Sequence, residues 1–297
     1  MKKTVLIVLF TLMVGVCNAQ EWFTSFDVAK RLALVQNKML FVLWEESMDY
    51  SYPLLFNNDK GNLMVVDLSE NDSLDPIIWE HFIPVLLPES RYVDFINKAK
   101  GRRVRYTDKL NDDSIKIMDV NGNILNLDDA FETEQNLSVL IKKYALNTTF
   151  LQQDLNNYSK NVNITSAFNL ASKYYDYAIF AGKDIRSEII GLANLYFDEA
   201  KTLLAESNLD NKEAIAQRLD LFGIKAHLIL DNPRKAFRLL KKRDKTEIAD
   251  INKSFFSFLK YTTFKLLNDE GNAALWKSKV SSIDLKKAEL IININKQ

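Results

Sequence analysis

Three carboxylates, Glu45, Glu46 and Asp49, follow directly on an unbroken apolar run, Met39-Leu40-Phe41-Val42-Leu43-Trp44. Clustered carboxylates can share acid and base roles or hold a hard cation. Either use requires a set ligand spacing, and these three match none, so a solvated acidic loop is the simpler expectation. Trp44, Met48 and Tyr50 interleave with them. Aromatic rings and a thioether beside acidic groups suit contact with another polypeptide better than bond-making chemistry. The expected partner-binding set is therefore Trp44, Glu46, Met48, Asp49 and Tyr50, with Trp44, at the end of the apolar run, more readily read as core.

The remaining inventory is sparse. The two histidines, His81 and His227, are remote from each other in sequence, and neither has a second histidine at metal-ligand spacing. The single cysteine is Cys17. No glycine-rich phosphate loop or serine nucleophile elbow is present. The expectation is a protein that is not an enzyme, with no catalytic residue, no metal and no cofactor. An alternative is carboxylate-based, non-thiol catalysis at the Glu45–Asp49 loop. The basic run Lys98-Ala99-Lys100-Gly101-Arg102-Arg103-Val104-Arg105 reads as a helix end completing its dipole, followed by a solvated turn. Formal net charge is zero, so no global basic field attracts nucleic acid.

The elements that must position the loop follow from the patterning around it. Lys2-Lys3, an apolar stretch over Val5–Val16 and the exit Cys17-Asn18-Ala19 form the tripartite pattern of a secretory signal peptide, residues 1–19. Its apolar stretch is shorter than the roughly 20 residues a bilayer span needs. Export to the periplasm or cell envelope, a cysteine-free mature chain and no membrane span after cleavage are expected. Eight glycines and five prolines are few for this length and favour helices over a loop-rich sandwich. Over 20–146 the order reads helix, strand, helix, strand, helix, hairpin, helix. Trp22–Gln36 has helical spacing, Met39–Trp44 is a strand buried on both faces, and Asn62–Leu68 is a second apolar run. Ser73–Phe82 and Ser90–Ala99 read as helices. Ser114–Asp119 alternates as a strand, Asn121-Gly122 turns it, Asn123–Asn126 returns, and Glu132–Tyr144 closes as a helix. Helices between strands imply crossovers and parallel pairing.

This order resembles the thioredoxin fold. The matching pieces are Trp22-Phe23 with Ala29, Asn37-Lys38-Met39-Leu40-Phe41-Val42-Leu43, Met64-Val65-Val66-Asp67, and Ile115 through Asn123. The last piece is similar to the strand and hairpin of secreted, Bacteroidetes-type thioredoxin-like proteins. The resemblance implies a Cys-x-x-Cys motif at Met48-Asp49-Tyr50-Ser51, where Met48 and Ser51 take the cysteine positions. Neither can supply the thiolate that disulfide exchange requires. The family's cis-proline position holds Asp113-Ser114, and a trans bond is expected there.

Residues 147–297 are helical almost throughout. Ala167, Leu170, Ala171, Tyr174, Tyr175 and Ala178 recur at helical spacing, as do Ile189, Leu192, Ala193, Tyr196 and Ala200. The mix of small and aromatic residues fits closely approaching helical hairpins, arranged either as an irregular tetratricopeptide-like repeat or as a bundle. The expected fold class is an α/β thioredoxin-like N-terminal domain, residues 20–146, plus an all-α C-terminal domain, residues 147–297. The expected function is non-redox binding of a protein or peptide partner in the cell envelope, with a structural envelope component as a further alternative.

Overall fold

The computed structural model describes residues 21–58, 60–127, 135–244 and 246–296. The expected signal peptide, residues 1–19, lies outside the described residues, as does the Glu132 start of the closing helix. The chain is mixed α/β, with a small sheet in its first part and helices throughout its second. It divides into two compact units, with the boundary between Asn147 and Thr148.

In the first unit, helix α1 (Phe26–Gln36) buries Phe26, Ala29 and Ala33, the stripe its spacing predicts. It stops at Asn37, whose left-handed φ of 56° suits asparagine, and the Lys38 N–H donates back to the Ala33 carbonyl at 3.0 Å. Strand β1 (Met39–Trp44) follows and is buried at every position. Strands β2 (Pro53–Asn57) and β3 (Leu63–Asp67) form a separate antiparallel ribbon. Helix α2 (Asp75–His81) leads directly into β4 (Phe82–Leu87). Helices α3 (Tyr92–Ala99) and α4 (Val104–Asn111), strand β5 (Lys116–Met118) and helix α5 (Leu137–Tyr144) complete the unit.

The main sheet runs β4-β1-β5. Strand β4 is parallel to β1 along its whole length, from Met39↔Phe82 to Trp44↔Leu87, and β5 is antiparallel through Phe41↔Ile117. Single bridges add Phe23 beside Val85 on one edge and Ile124 beside Met118 on the other. The thioredoxin resemblance counts Met64-Val65-Val66-Asp67 among its matching pieces, yet this run lies outside the main sheet. That run is β3, where Leu63, Met64 and Val65 are exposed, whereas β4 is apolar at every position, as a strand covered on both faces requires. Pro84 inside β4 is tolerated because of its phase. Its carbonyl accepts from Phe23 N–H at 3.1 Å, and Leu86 N–H donates to the Phe23 carbonyl at 2.9 Å. The missing N–H of Pro84 therefore faces the sparsely bonded side and costs no bond to β1.

The Asn121-Gly122 turn is present with a longer loop than the two residues such a dipeptide suggests. Gly122 N–H reaches the Asp119 carbonyl at 2.9 Å, and the Asp119 carboxylate accepts from the Asn121 and Asn123 N–H groups at 2.9 and 3.0 Å. Gly122 alone takes positive φ, +81°, the three-residue hairpin solution ending in a left-handed glycine. The basic run ends α3 and is followed by a solvated turn, as expected, with Lys100, Gly101 and Arg103 exposed. Gly101, at φ +79°, breaks α3 from α4, and Val104-Arg105 begin the new helix.

The second unit contains α6 (Gln152–Lys160), α7 (Ile164–Phe180), α8 (Arg186–Glu206), α9 (Lys212–Ile229), α10 (Pro233–Arg243), α11 (Asp250–Leu266), α12 (Glu270–Lys277) and α13 (Ser282–Ile294). An aromatic seam joins four of them: Tyr175 to Phe197 at 5.0 Å, Phe197 to Phe222 at 5.2 Å, and Phe222 to Phe255 at 4.7 Å. The last helix, α13, returns to pack on α7 and α9. In an open helical stack each repeat meets only its neighbours; α13 departs from that pattern by also meeting α7.

Candidate functional site

The carboxylate and aromatic loop lies where the central strand β1 ends. Trp44 closes the strand and is 6 % exposed. Its indole N–H donates to the Leu110 carbonyl at 2.9 Å, and its ring meets Tyr92 at 4.9 Å and Phe95 at 6.3 Å. Helices α3 and α4 thus clamp the ring, and Trp44 anchors the loop from beneath instead of facing a partner. A single 3₁₀ turn, Glu45–Met48, follows and is closed by Asp49 N–H to the Glu46 carbonyl at 3.2 Å. Along this turn Glu45, Glu46 and Asp49 stand in solvent, Met48 is half-buried, and Ser47 is buried. Tyr50 projects furthest and is 78 % exposed.

The turn is fastened on its far side by Asp67, at the end of β3. The Ser51 hydroxyl donates to the Asp67 carboxylate, Tyr52 N–H donates to it at 2.9 Å, and Ser69 adds its N–H at 3.0 Å and its hydroxyl at 2.7 Å. These donors, led by Ser51 and Ser69, hold the Asp67 carboxyl down at about 2. The Tyr52 hydroxyl then ties the loop to the Asp113 carbonyl at 2.9 Å. Ser51 is consequently occupied as a structural donor. The Asp113–Ser114 region holds no cis bond.

Beside Trp44 sits Lys116, 0 % exposed on β5. Its ammonium donates to the Asp112 carbonyl, to the Ser114 carbonyl at 2.7 Å and to the Asp112 carboxylate at 3.2 Å, and it lies 5.8 Å from the Trp44 ring centre. Burial pulls its pKa down to about 8, against the opposing pull of Asp112. The alternation over Ser114–Asp119 marks a strand, but Lys116 is as buried as its neighbours Ile115 and Ile117, so the amine is enclosed and the Asp112–Ser114 loop supplies its acceptors. The Asp67-x-Ser69 spacing, a side-chain-to-backbone turn signature, was the signal that could have revealed the Asp67 clamp. No comparable pattern reveals Lys116.

Of the predicted contact residues, the structure brings Glu46, Met48, Asp49 and Tyr50 together on one turn and sets Trp44 below them. His81 is half-buried at the end of α2, and His227 is half-buried on α9, where burial lowers its pKa. Among the described residues, no group of three His, Cys, Asp or Glu side chains is placed to hold a metal ion, and no helix is long and apolar enough to cross a membrane. In the helical unit, an open cleft of about 360 Å³ lies at the ends of α9 and α11, bordered by Asp231, Pro233, Arg234 and Asn268. Asp231 and Asn268 both have left-handed φ there, 56° and 57°, and act as helix stops. The chain matches no protein-family model, no curated protein and no solved structure.

Proposed function

We propose that this chain is an exported, non-redox protein of the cell envelope, built on a thioredoxin-like frame, that works by holding a protein or peptide segment at the Met48–Ser51 turn. The frame is supported by the strand sequence across the sheet: the Phe23 segment, β4, β1, the antiparallel β5, then the Ile124 segment. The alternating order and the antiparallel fourth member are those of the thioredoxin arrangement. The observation that carries the functional reading is the turn itself. It sits at the C-terminal end of the central strand, where open α/β sheets place their ligands. It carries no sulfur nucleophile, its Ser51 hydroxyl is engaged by Asp67, and it offers Tyr50 to solvent with Met48 and Asp49 beside it. An exposed tyrosine on a tethered turn supplies contact area at low entropic cost.

The test combines two measurements. In an insulin-reduction assay the protein gives no turnover above background. Against a panel of extended peptides followed by fluorescence anisotropy, Tyr50→Ala weakens binding about tenfold, while the thermal midpoint stays unchanged because the side chain is exposed. Reductase turnover, or peptide binding indifferent to Tyr50→Ala, overturns the proposal.

A further inference from the structure

We propose that helix α10 is a peripheral docking surface for an anionic phospholipid bilayer, which it meets through headgroup phosphates without inserting. Over its eleven residues, Pro233–Arg243, the helix carries six cations and no carboxylate. Five of them, Arg234, Lys235, Arg238, Lys241 and Lys242, are exposed. At 3.6 residues per turn these five fall within an arc of roughly 120° and along about 12 Å of the helix axis. The sixth, Arg243, is engaged by Asp220 of α9. The carboxylates flanking the helix leave the stripe bare: Asp244 is taken by the buried Lys260, and Asp231 borders the cleft ahead of Pro233. Among the described residues, none of the five makes an ion pair.

The opposite side of α10 is spent in the fold. Ala236 and Leu240 are buried, and Phe237 packs against Phe264 of α11 at 5.8 Å. An inserting amphipathic helix needs that apolar face free, so what α10 offers is contact by charge alone. Like charges one turn apart destabilise a helix, and a partner that brings anions to the stripe relieves that repulsion.

Charge complementarity fixes the occupant's chemistry as a dense array of anions. The make-up of the stripe selects a bilayer. Its members are all lysine and arginine, with no asparagine, glutamine or aromatic side chain among them to read or stack a base. A field of phosphates satisfies each cation independently, whereas an acidic peptide must match their spacing. The formal net charge of the chain is zero, so the cations of α10 are balanced by a net-acidic remainder. An anionic plane attracts this helix and repels the rest, which orients the molecule upon it. The preference for lipid over nucleic acid also rests on the export reading above, since an exported chain faces headgroups; the anion chemistry of the stripe does not depend on that reading.

Co-sedimentation of the purified full chain with sucrose-loaded vesicles tests this. Vesicles of phosphatidylcholine with about 30 mol % phosphatidylglycerol are compared with pure phosphatidylcholine, and the excess over the latter is read, which removes any contribution from the apolar Val5–Val16 stretch. Partitioning to the anionic vesicles is expected at low salt and is lost as salt rises to about 0.5 M. Replacing Lys235, Arg238 and Lys242 together by Gln lowers the partition coefficient about a hundredfold, near fivefold for each charge, with the thermal midpoint unchanged. Should that variant unfold, Arg234→Gln with Lys241→Gln decides, with a loss of about twenty-fivefold. Lys160→Gln with Lys183→Gln, exposed cations on other elements, leaves partitioning unchanged. No partitioning to anionic vesicles at low salt overturns the proposal, as does partitioning indifferent to the α10 variants or lowered equally by the Lys160 and Lys183 pair. Tighter binding to a mixed-sequence DNA duplex or to polyglutamate at equal anion concentration also overturns it, by assigning the stripe to another polyanion. The assay reads the stripe in whichever compartment the chain resides, so a failed export reading, seen as an uncleaved leader in the native product, is scored separately.

Discussion

Replacing Lys116 by methionine is expected to remove a pH-dependent penalty from the first unit. The amine is enclosed between Trp44 and the Asp112–Ser114 turn, and its pKa falls from 10.5 to about 8 in the folded chain. A drop of that size corresponds to about 3 kcal/mol of disfavoured charge. The sign follows from proton counting. Below pH 8 folded and unfolded chains both carry the proton, and the full penalty applies. Between about 8 and 10.5 the unfolded chain keeps a proton that the folded chain has released, so stability climbs with pH; above 10.5 it levels off. Methionine has similar length and no charge, so Lys116→Met loses this climb. Urea unfolding followed by fluorescence in a Trp276→Phe background reads the first unit alone, through Trp22, Trp44 and Trp79. The midpoint of the lysine protein should rise relative to the methionine variant by about 1.5 M urea from pH 7.5 to pH 10.5. Lys38 and Lys98, whose pKa values burial also lowers, titrate in both proteins and cancel in the difference. A flat difference across that range would refute the enclosed, charged amine.

Gly122→Ala is expected to destabilise the first unit by about 1–3 kcal/mol. Its φ of +81° strains an L side chain, and a methyl there would lie 3.1 Å from the Phe26 ring; the same urea titration measures it. In the helical unit, Asp176 accepts from Lys225 at 2.6 Å and Lys287 at 2.9 Å, and Lys225 is 1 % exposed. Asp176→Ala should cost about 3–5 kcal/mol by leaving Lys225 buried and unpaired, and adding Lys225→Met should recover much of it. Helical ellipticity during thermal unfolding checks both variants. The Asp176 pKa lies below 3.8 through the pull of Lys225 and Lys287 against burial. Its contribution is therefore complete above pH 3.8 and lost as pH falls through the lower folded value.

Elements whose signal is local were legible in the sequence. The run Met39–Trp44 read as a strand covered on both faces, because six apolar residues in succession leave no polar side and are too few for a typical helix. The small-residue stripe of α1, the glycine turn at Gly122 and the helical periodicities from Ala167 onward were readable for the same reason: each depends on residues within one or two turns of chain. The turn carrying Glu46, Met48, Asp49 and Tyr50 was legible as a loop after a buried strand. Only the tertiary structure decided what lies beside what. Both Leu63–Asp67 and Phe82–Leu87 are apolar enough to pair with β1, and the choice fell to β4 because it offers apolar cover on both faces and turns Pro84 away from β1, toward the Phe23 segment. The burial of Lys116 needed acceptors from the Asp112–Ser114 turn, and the return of α13 brings Lys287 back to Asp176 on α7. Periodicity records which way a side chain points along its own element; pairing and enclosure depend on surfaces brought together from distant parts of the chain, and no local pattern encodes them.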